Sequence, residues 1–303
     1  AQVLLARSVV AREQGRVDEA GSAGREALAA EGLTAAERVR LLESLASAEF
    51  YAGHVQQALQ FLAEARTLAE ACRDRIGLLR VDSLRGAMLA HAGDLAAAEA
   101  VLRETADLAG QMGMVGVQRQ TLFHLCMVHS SQSRPDAVLS TATECWSLRP
   151  AMALDTLRTM VRLAFVEAHQ ALGDLGGAHR WALGAIDDAS AIDQLFGASS
   201  VVLTVAELLT VLDDSARLTP LLTRMDGPDS GESVHATSET WLVLAECHLL
   251  DGRIDEARDC RRRSVDAGHQ EMTRVAARVA IVDAALLQAA GDDRAALERL
   301  PAD

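Results

Sequence analysis

Three arginines recur through the first half of the sequence, Arg40, Arg80 and Arg119, at nearly equal intervals. A guanidinium is a planar fork of donors that can grip a carboxylate or a phosphate through two bonds at once. About three helical turns beyond each arginine comes a ring: Phe50 and Tyr51, then His91, then His129. Steps of 3, 4 and 3 residues along a helix keep to one face. They select Arg40, Glu43, Ser47 and Phe50 in the first copy, with Tyr51 one step round. The following copies give Arg80, Ser83, Ala87, Ala90 and His91, then Arg119, Leu122, Cys126, His129 and Ser130; a later one gives Leu163, Glu167 and Gln170. Arg40, Glu43, Phe50, Tyr51, Arg80, His91, Arg119, His129, Glu167 and Gln170 therefore form a candidate groove for a carboxylate, an anion or a peptide. The same residues allow a plainer outcome, in which the arginines pair with acids such as Glu43, Glu49 and Asp82 and merely solvate the surface.

Other chemistry is scarce. There is no HExxH, no GxSxG elbow and no GxGxxG after a strand. All 29 basic residues are arginine, so a P-loop lysine, a kinase lysine and a Schiff base are excluded. In "HLCMVH" (124–129) Cys126 and His129 share a helix face while His124 points elsewhere, and two ligands without a third make no zinc site. "GPDSGES" (227–233) reads as a solvated acidic loop, and "RRR" (261–263) as a solvated outer helix face. Trp146, Trp181 and Trp241 fall in different helices and are expected to pack between neighbours. No enzyme, metal or cofactor is expected.

The elements that must position the groove are helices. Alanine, leucine and arginine are strong helix formers, prolines number only 5, and the 9 aromatic residues are too few for a sandwich or barrel core. Net charge is −14, which argues against direct nucleic-acid binding. Cys72, Cys126, Cys145, Cys247 and Cys260 form no CxxC pair and read as reduced, buried thiols of a cytoplasmic protein. No apolar run suggests a membrane span. The start, "AQVLLARSVV", opens in mid-helix and the end, "RAALERLPAD", stops where another helix is due, so a fragment of a longer protein is expected.

A turn-and-restart recurs as "GRVDEA" (15–20), "GHVQQA" (53–58), "GDLAAA" (93–98), "GDLGGA" (173–178), "GRIDEA" (252–257) and "GDDRAA" (291–296), with degenerate copies "QSRPDA" (132–137) and "DDSARL" (213–218). The eight units follow one another at about 40 residues, the kind of fixed period that marks a repeat array. Glycine ends a first helix and a second one starts at once. The sixth residue of the turn, and a second position seven residues before it, are mostly small, as two closely packed antiparallel helices require. In the second unit the helices are expected over 36–52 and 55–72. The expectation is an all-α solenoid of eight helical hairpins, one domain over 1–303, stacked into a right-handed superhelix.

The order of small residue, glycine, alanine and apolar residue resembles the tetratricopeptide repeat (TPR), most closely at 36–70, 79–110 and 239–266, where "ETWLVLAECHLLDGRIDEA" places Trp241 at the family's aromatic position. The spacing exceeds the usual ~34 residues. Longer repeats rich in Ala, Leu, Arg and "GD/GR" turns resemble the superhelical region of MalT-like, LuxR-type (LAL, STAND) bacterial transcriptional regulators. That resemblance implies a non-catalytic sensor domain binding a protein, peptide or small-molecule effector on the concave face of its first helices. The alternatives are a stand-alone scaffold and a receptor for signalling peptides; self-association is left open.

Overall fold

The computed structural model describes residues 2–13, 17–30, 32–51, 53–148, 156–191, 195–226, 238–266 and 273–300. Among them the chain forms sixteen α-helices, a 3-10 turn at Ser215–Leu218 and no strand. The helices group into two compact units. The first, Ala1–Ala153, carries α1 (Gln2–Glu13), α2 (Val17–Ala29), α3 (Ala35–Tyr51), α4 (Val55–Cys72), α5 (Arg75–His91), α6 (Leu95–Gln111), α7 (Val115–Ser131) and α8 (Pro135–Ser147). The second, Leu154–Asp303, carries α9 (Thr156–Ala171), α10 (Leu175–Ala191), α11 (Leu195–Val211), α12 (Thr219–Asp226), α13 (Ser238–Leu250), α14 (Ile254–Asp266), α15 (Thr273–Ala289) and α16 (Asp293–Arg299). The pattern that predicts one array runs through both units, four hairpins to each.

Local chemistry sets the helix ends. At the start of α3, Thr34 and Glu37 form a capping box: Glu37 Oε2 accepts from the Thr34 N–H at 2.8 Å and Thr34 Oγ1 from the Glu37 N–H at 3.3 Å. Between the helices of a hairpin the chain turns through a left-handed residue, a glycine at 53, 93, 173, 252 and 291 with φ of 73–90°. The aspartate after it often caps the second helix, as Asp94 accepts from the Ala97 N–H at 3.1 Å and Asp174 from the Gly177 N–H at 2.8 Å.

Packing then follows the small positions. Within the first unit α5 lies against α3, α4, α6 and α7, so it touches its own partner, the second helix before it and the first helices on either side. Val39, Leu42, Ala46, Ala58, Leu62, Ala65, Val81 and Met88 form a shared core from α3, α4 and α5. Gly86 marks a close approach, since a Cβ there would come within 2.5 Å of the Leu102 side chain on α6. In the second unit Val166, Ala178, Ala182, Val202, Val205, Leu209, Leu242 and Val282 join four hairpins into one apolar cluster.

The fourth hairpin departs from the sequence reading by one residue. Its left-handed residue is Ser133 (φ 54°), not Gln132, which puts the turn midway between Gly93 and Gly173. Asp213 (φ 55°) plays the same part in the sixth. A non-glycine residue in this conformation is held by its neighbours: Gln132 Nε2 donates to Glu99 Oε2 at 3.0 Å and Arg134 Nη1 to the same oxygen at 3.2 Å. The Arg103 guanidinium, with Gln132 and Arg134, keeps the Glu99 carboxyl down at about 2, so it stays ionised as their acceptor. The close-approach residue becomes Val138, which is buried, rather than Ala137, which is half-buried. Among the cysteines, Cys72 is exposed at the end of α4 and the other four are buried.

Candidate functional site

Two cross-repeat contacts link α3 to α5 and involve four of the expected groove residues. Arg80 grips Glu43 with both prongs, Nε at 3.1 and 3.2 Å and Nη2 at 2.9 Å from the carboxylate oxygens. The Glu43 side chain is 8% exposed and that of Arg80 28%, so this pair is half within the fold. Further along, the Phe50 and His91 rings meet edge-on with centroids 4.7 Å apart. His91 is exposed, yet the protein around it strips enough water to lower its pKa, and the ring is neutral at pH 7. Arg40, one turn before Glu43, is exposed. The strip thus runs from an exposed guanidinium, past an ion pair, to a flat neutral ring pair. The Tyr51 side chain lies outside the described residues, as do "GPDSGES" and the turn at Gly15.

Of the three acids of the plainer reading, Glu43 is the one that pairs with an arginine of the strip. Glu49 instead holds Arg25 and His54 (2.8 and 2.9 Å), and Asp82 holds Arg66 and Arg85 (3.2 and 3.0 Å).

Arg119 and His129 do not belong to the strip. Counted from Ser133, Arg119 is the equivalent of Val39 and Leu79, and all three are buried (7%, 0% and 5% exposed). The residue equivalent to Arg40 and Arg80 is Gln120, which is exposed. A slip of one residue turns a helix by about 100°, which carries Arg119 from the surface into the core. His129 is buried in the same way, its Nδ1 at 3.4 Å from Gln132 Oε1. Pro135 was the missed signal: it is the first residue of α8, where proline fits best, and placing it there sets the turn.

The α5–α7 contact uses a residue outside the expected set. His124 is buried, its Nδ1 at 3.2 Å from the Ser83 carbonyl oxygen and 3.3 Å from the Ser83 hydroxyl. Burial pushes its pKa down to about 4. No group of three metal-ligating side chains occurs among the described residues, and Cys126 Sγ lies 4.0 Å from the Val138 carbonyl oxygen.

In the second unit Glu167 is exposed and Gln170 half-buried on α9. Glu167 has two register mates that sequence reasoning missed, Glu207 and Glu246, each six residues before its turn. Their even spacing was visible in the sequence. Arg278 of α15 reaches both, hydrogen-bonding Glu246 on the adjacent α13 and, at 3.3 Å, Glu207 on α11. Arg158 and Arg162 of α9 share the buried Asp188 of α10 at 2.9 and 2.7 Å. Trp181 stacks on Phe165 at 4.1 Å, a contact between the two helices of its own hairpin and not the packing between neighbouring repeats that the sequence predicts. The "RRR" run is not one solvated face, because consecutive residues point different ways around a helix. Arg261 bonds Asp283 of α15, Arg263 lies over the Trp241 ring at 4.9 Å, and Arg262 alone is exposed.

No protein-family model and no curated protein matches the sequence. Solved structures do. A tetratricopeptide repeat protein from Parabacteroides merdae is 11% identical, with 93% of this chain and 98% of that one covered at a TM-score of 0.56. The Rap conjugation gene regulator of the plasmid pLS20, in complex with a Phr peptide, is 13% identical, with 91% and 75% covered at 0.66. The apo form of the quorum sensor NprR from B. thuringiensis is 10% identical, with 88% and 86% covered at 0.52. At these identities the likeness defines the fold: an all-α, TPR-like array of helical hairpins.

Proposed function

We propose that this chain is a non-catalytic, peptide-binding regulatory module, and that the α3–α5 strip is where a short peptide docks. The observation that carries the reading is the pairing of Phe50 with His91 beside two arginines in register. The neutral ring pair offers an apolar seat, and the exposed Arg40 offers a fork for a carboxylate. Arg80, already engaged by Glu43, acts mainly by holding the strip in shape. The likeness to a regulator solved with its peptide and to a quorum sensor supports a signalling peptide as occupant.

An array of short peptides carrying either a free or an amidated C-terminus tests this against the chain and against Arg40→Ala. Free-carboxylate peptides with an apolar residue are expected to bind, and to weaken roughly tenfold on amidation or on Arg40→Ala. Binding that ignores both changes removes the strip from the proposal. An array with no binders at all favours a plain scaffold.

A second reading is the sensor domain of a LuxR-type transcriptional regulator. The long, even repeat supports it, with left-handed turn residues at positions 53, 93, 133, 173, 213, 252 and 291. An upstream P-loop ATPase and a downstream helix-turn-helix in the full reading frame would establish it.

A further inference from the structure

A cleft of about 340 Å3 opens in the second unit between α12, α13 and the first turns of α14. Its lining combines Leu222, Leu244 and the indole of Trp241 with Asp255, Glu256, Asp259 and the guanidinium of Arg263. That size and that combination of apolar side chains with a few convergent polar groups are what a small-molecule site requires. None of these residues belongs to the strip on α3 and α5.

The charges select the sign of the occupant. Asp259 is engaged by Arg262 and Arg263, and Asp255 meets Arg258 at 3.1 Å out in solvent. Glu256 has no hydrogen bond or salt bridge among the described residues. It is exposed in the first turn of α14 and brings to the cleft a negative charge that no arginine among the described residues pairs. The Trp241 ring carries the Arg263 guanidinium at 4.9 Å, a cation–π contact that the fold makes for itself. His248, also in the lining, keeps its pKa below the ordinary value through burial and through Arg253, and adds no opposing charge at neutral pH. Its Nδ1 is buried and has no hydrogen-bond partner among the described residues.

The geometry points to a binding site for a small organic cation with an apolar body, an alkyl- or arylalkylammonium. Its ammonium sits at Glu256, and its hydrocarbon lies against Leu222, Leu244 and Trp241. Asp255 and Asp259 already face arginines, so Glu256 is the lining carboxylate that a cation can pair and that an anion or a neutral molecule cannot.

Titration calorimetry on the full chain, with phenethylammonium as the probe, tests the assignment. The comparison ligands are 2-phenylethanol, of the same shape without charge, and phenylacetate. Saturable binding of the amine is expected, at least about fivefold tighter than the alcohol, with none for the anion. Glu256→Gln, an exposed change that leaves the thermal melt in place, is expected to weaken the amine by about fivefold or more. Arg40→Ala is expected to leave it untouched, so failure here and failure of the peptide proposal are separable. No saturable binding up to about 10 mM, equal affinity for amine and alcohol, or indifference to Glu256→Gln would each overturn the proposal.

Discussion

At the scale of single residues, Glu43, Arg80 and His124 show how the first unit holds its strip in place. Arg80→Ala takes a two-pronged donor from a carboxylate that is 8% exposed. A loss of about 1–3 kcal/mol of stability is expected in urea denaturation, whereas the exposed Arg40→Ala is expected to change stability by less than about 0.5 kcal/mol. His124 makes the unit sensitive to acid. Its folded pKa of about 4 lies below the ordinary 6.5, so as pH falls the unfolded chain binds the proton first. Stability is full above about 6.5 and declines as pH drops toward 4, by something on the order of 2 kcal/mol at pH 5. Urea midpoints at pH 7.5 and 5 are expected to reveal the loss, and His124→Gln to remove most of it; a midpoint that does not move would refute the role. The exposed position of Arg40 could be read from residue order alone. The burial of Arg119 could not, because an arginine at a core position looks, in sequence, like an arginine anywhere.

At the scale of the element, the turn decides which way every side chain of a helix points. Ser133 carries a left-handed backbone at φ 54°, a conformation that costs a residue with a Cβ roughly 1–2 kcal/mol. Ser133→Gly is expected to raise the melting temperature, and Gln132→Gly is not, since only the former relieves that backbone. If Gln132→Gly proved the stabilising one, the turn would sit at Gln132 and Arg119 would return to the surface strip. Close approach is testable in the same way. Gly86→Ala drives a methyl to 2.5 Å from Leu102, and Ala98→Leu enlarges a residue with no exposed surface; each is expected to cost about 1–3 kcal/mol in thermal melts. Glycine turns were legible because few residues tolerate positive φ. The serine turn was not, because its conformation is held by Glu99, which belongs to the hairpin before it.

At the scale of the whole molecule, the chain carries two compact units, within each of which the hairpins lean on their neighbours. Stability in such an array is a sum of local terms, so unfolding need not be a single cooperative step. Urea unfolding followed by tryptophan emission, which senses Trp181 and Trp241 in the second unit and Trp146 in the first, is expected to diverge from the circular-dichroism curve. Coincident curves would make the chain one cooperative block. The charge of −14 acts at this scale too, favouring cationic partners in general, against which the arginines of the strip form a local exception.

The sequence by itself determined the helical class, the eight hairpins and nearly every turn, because helix propensity, small contact residues and glycine at positive φ are local properties repeated along the chain. It also held Arg40 and Arg80 in register, and, unnoticed, Glu207 and Glu246 in register with Glu167. Only the tertiary structure decided which charges are spent. Arg80 is committed to Glu43 and Arg278 to Glu246 and Glu207, while Glu256 keeps its charge at the mouth of a cleft. Those partners lie 32 to 71 residues apart, and neither propensity nor spacing can say which guanidinium reaches which carboxylate until the helices are packed.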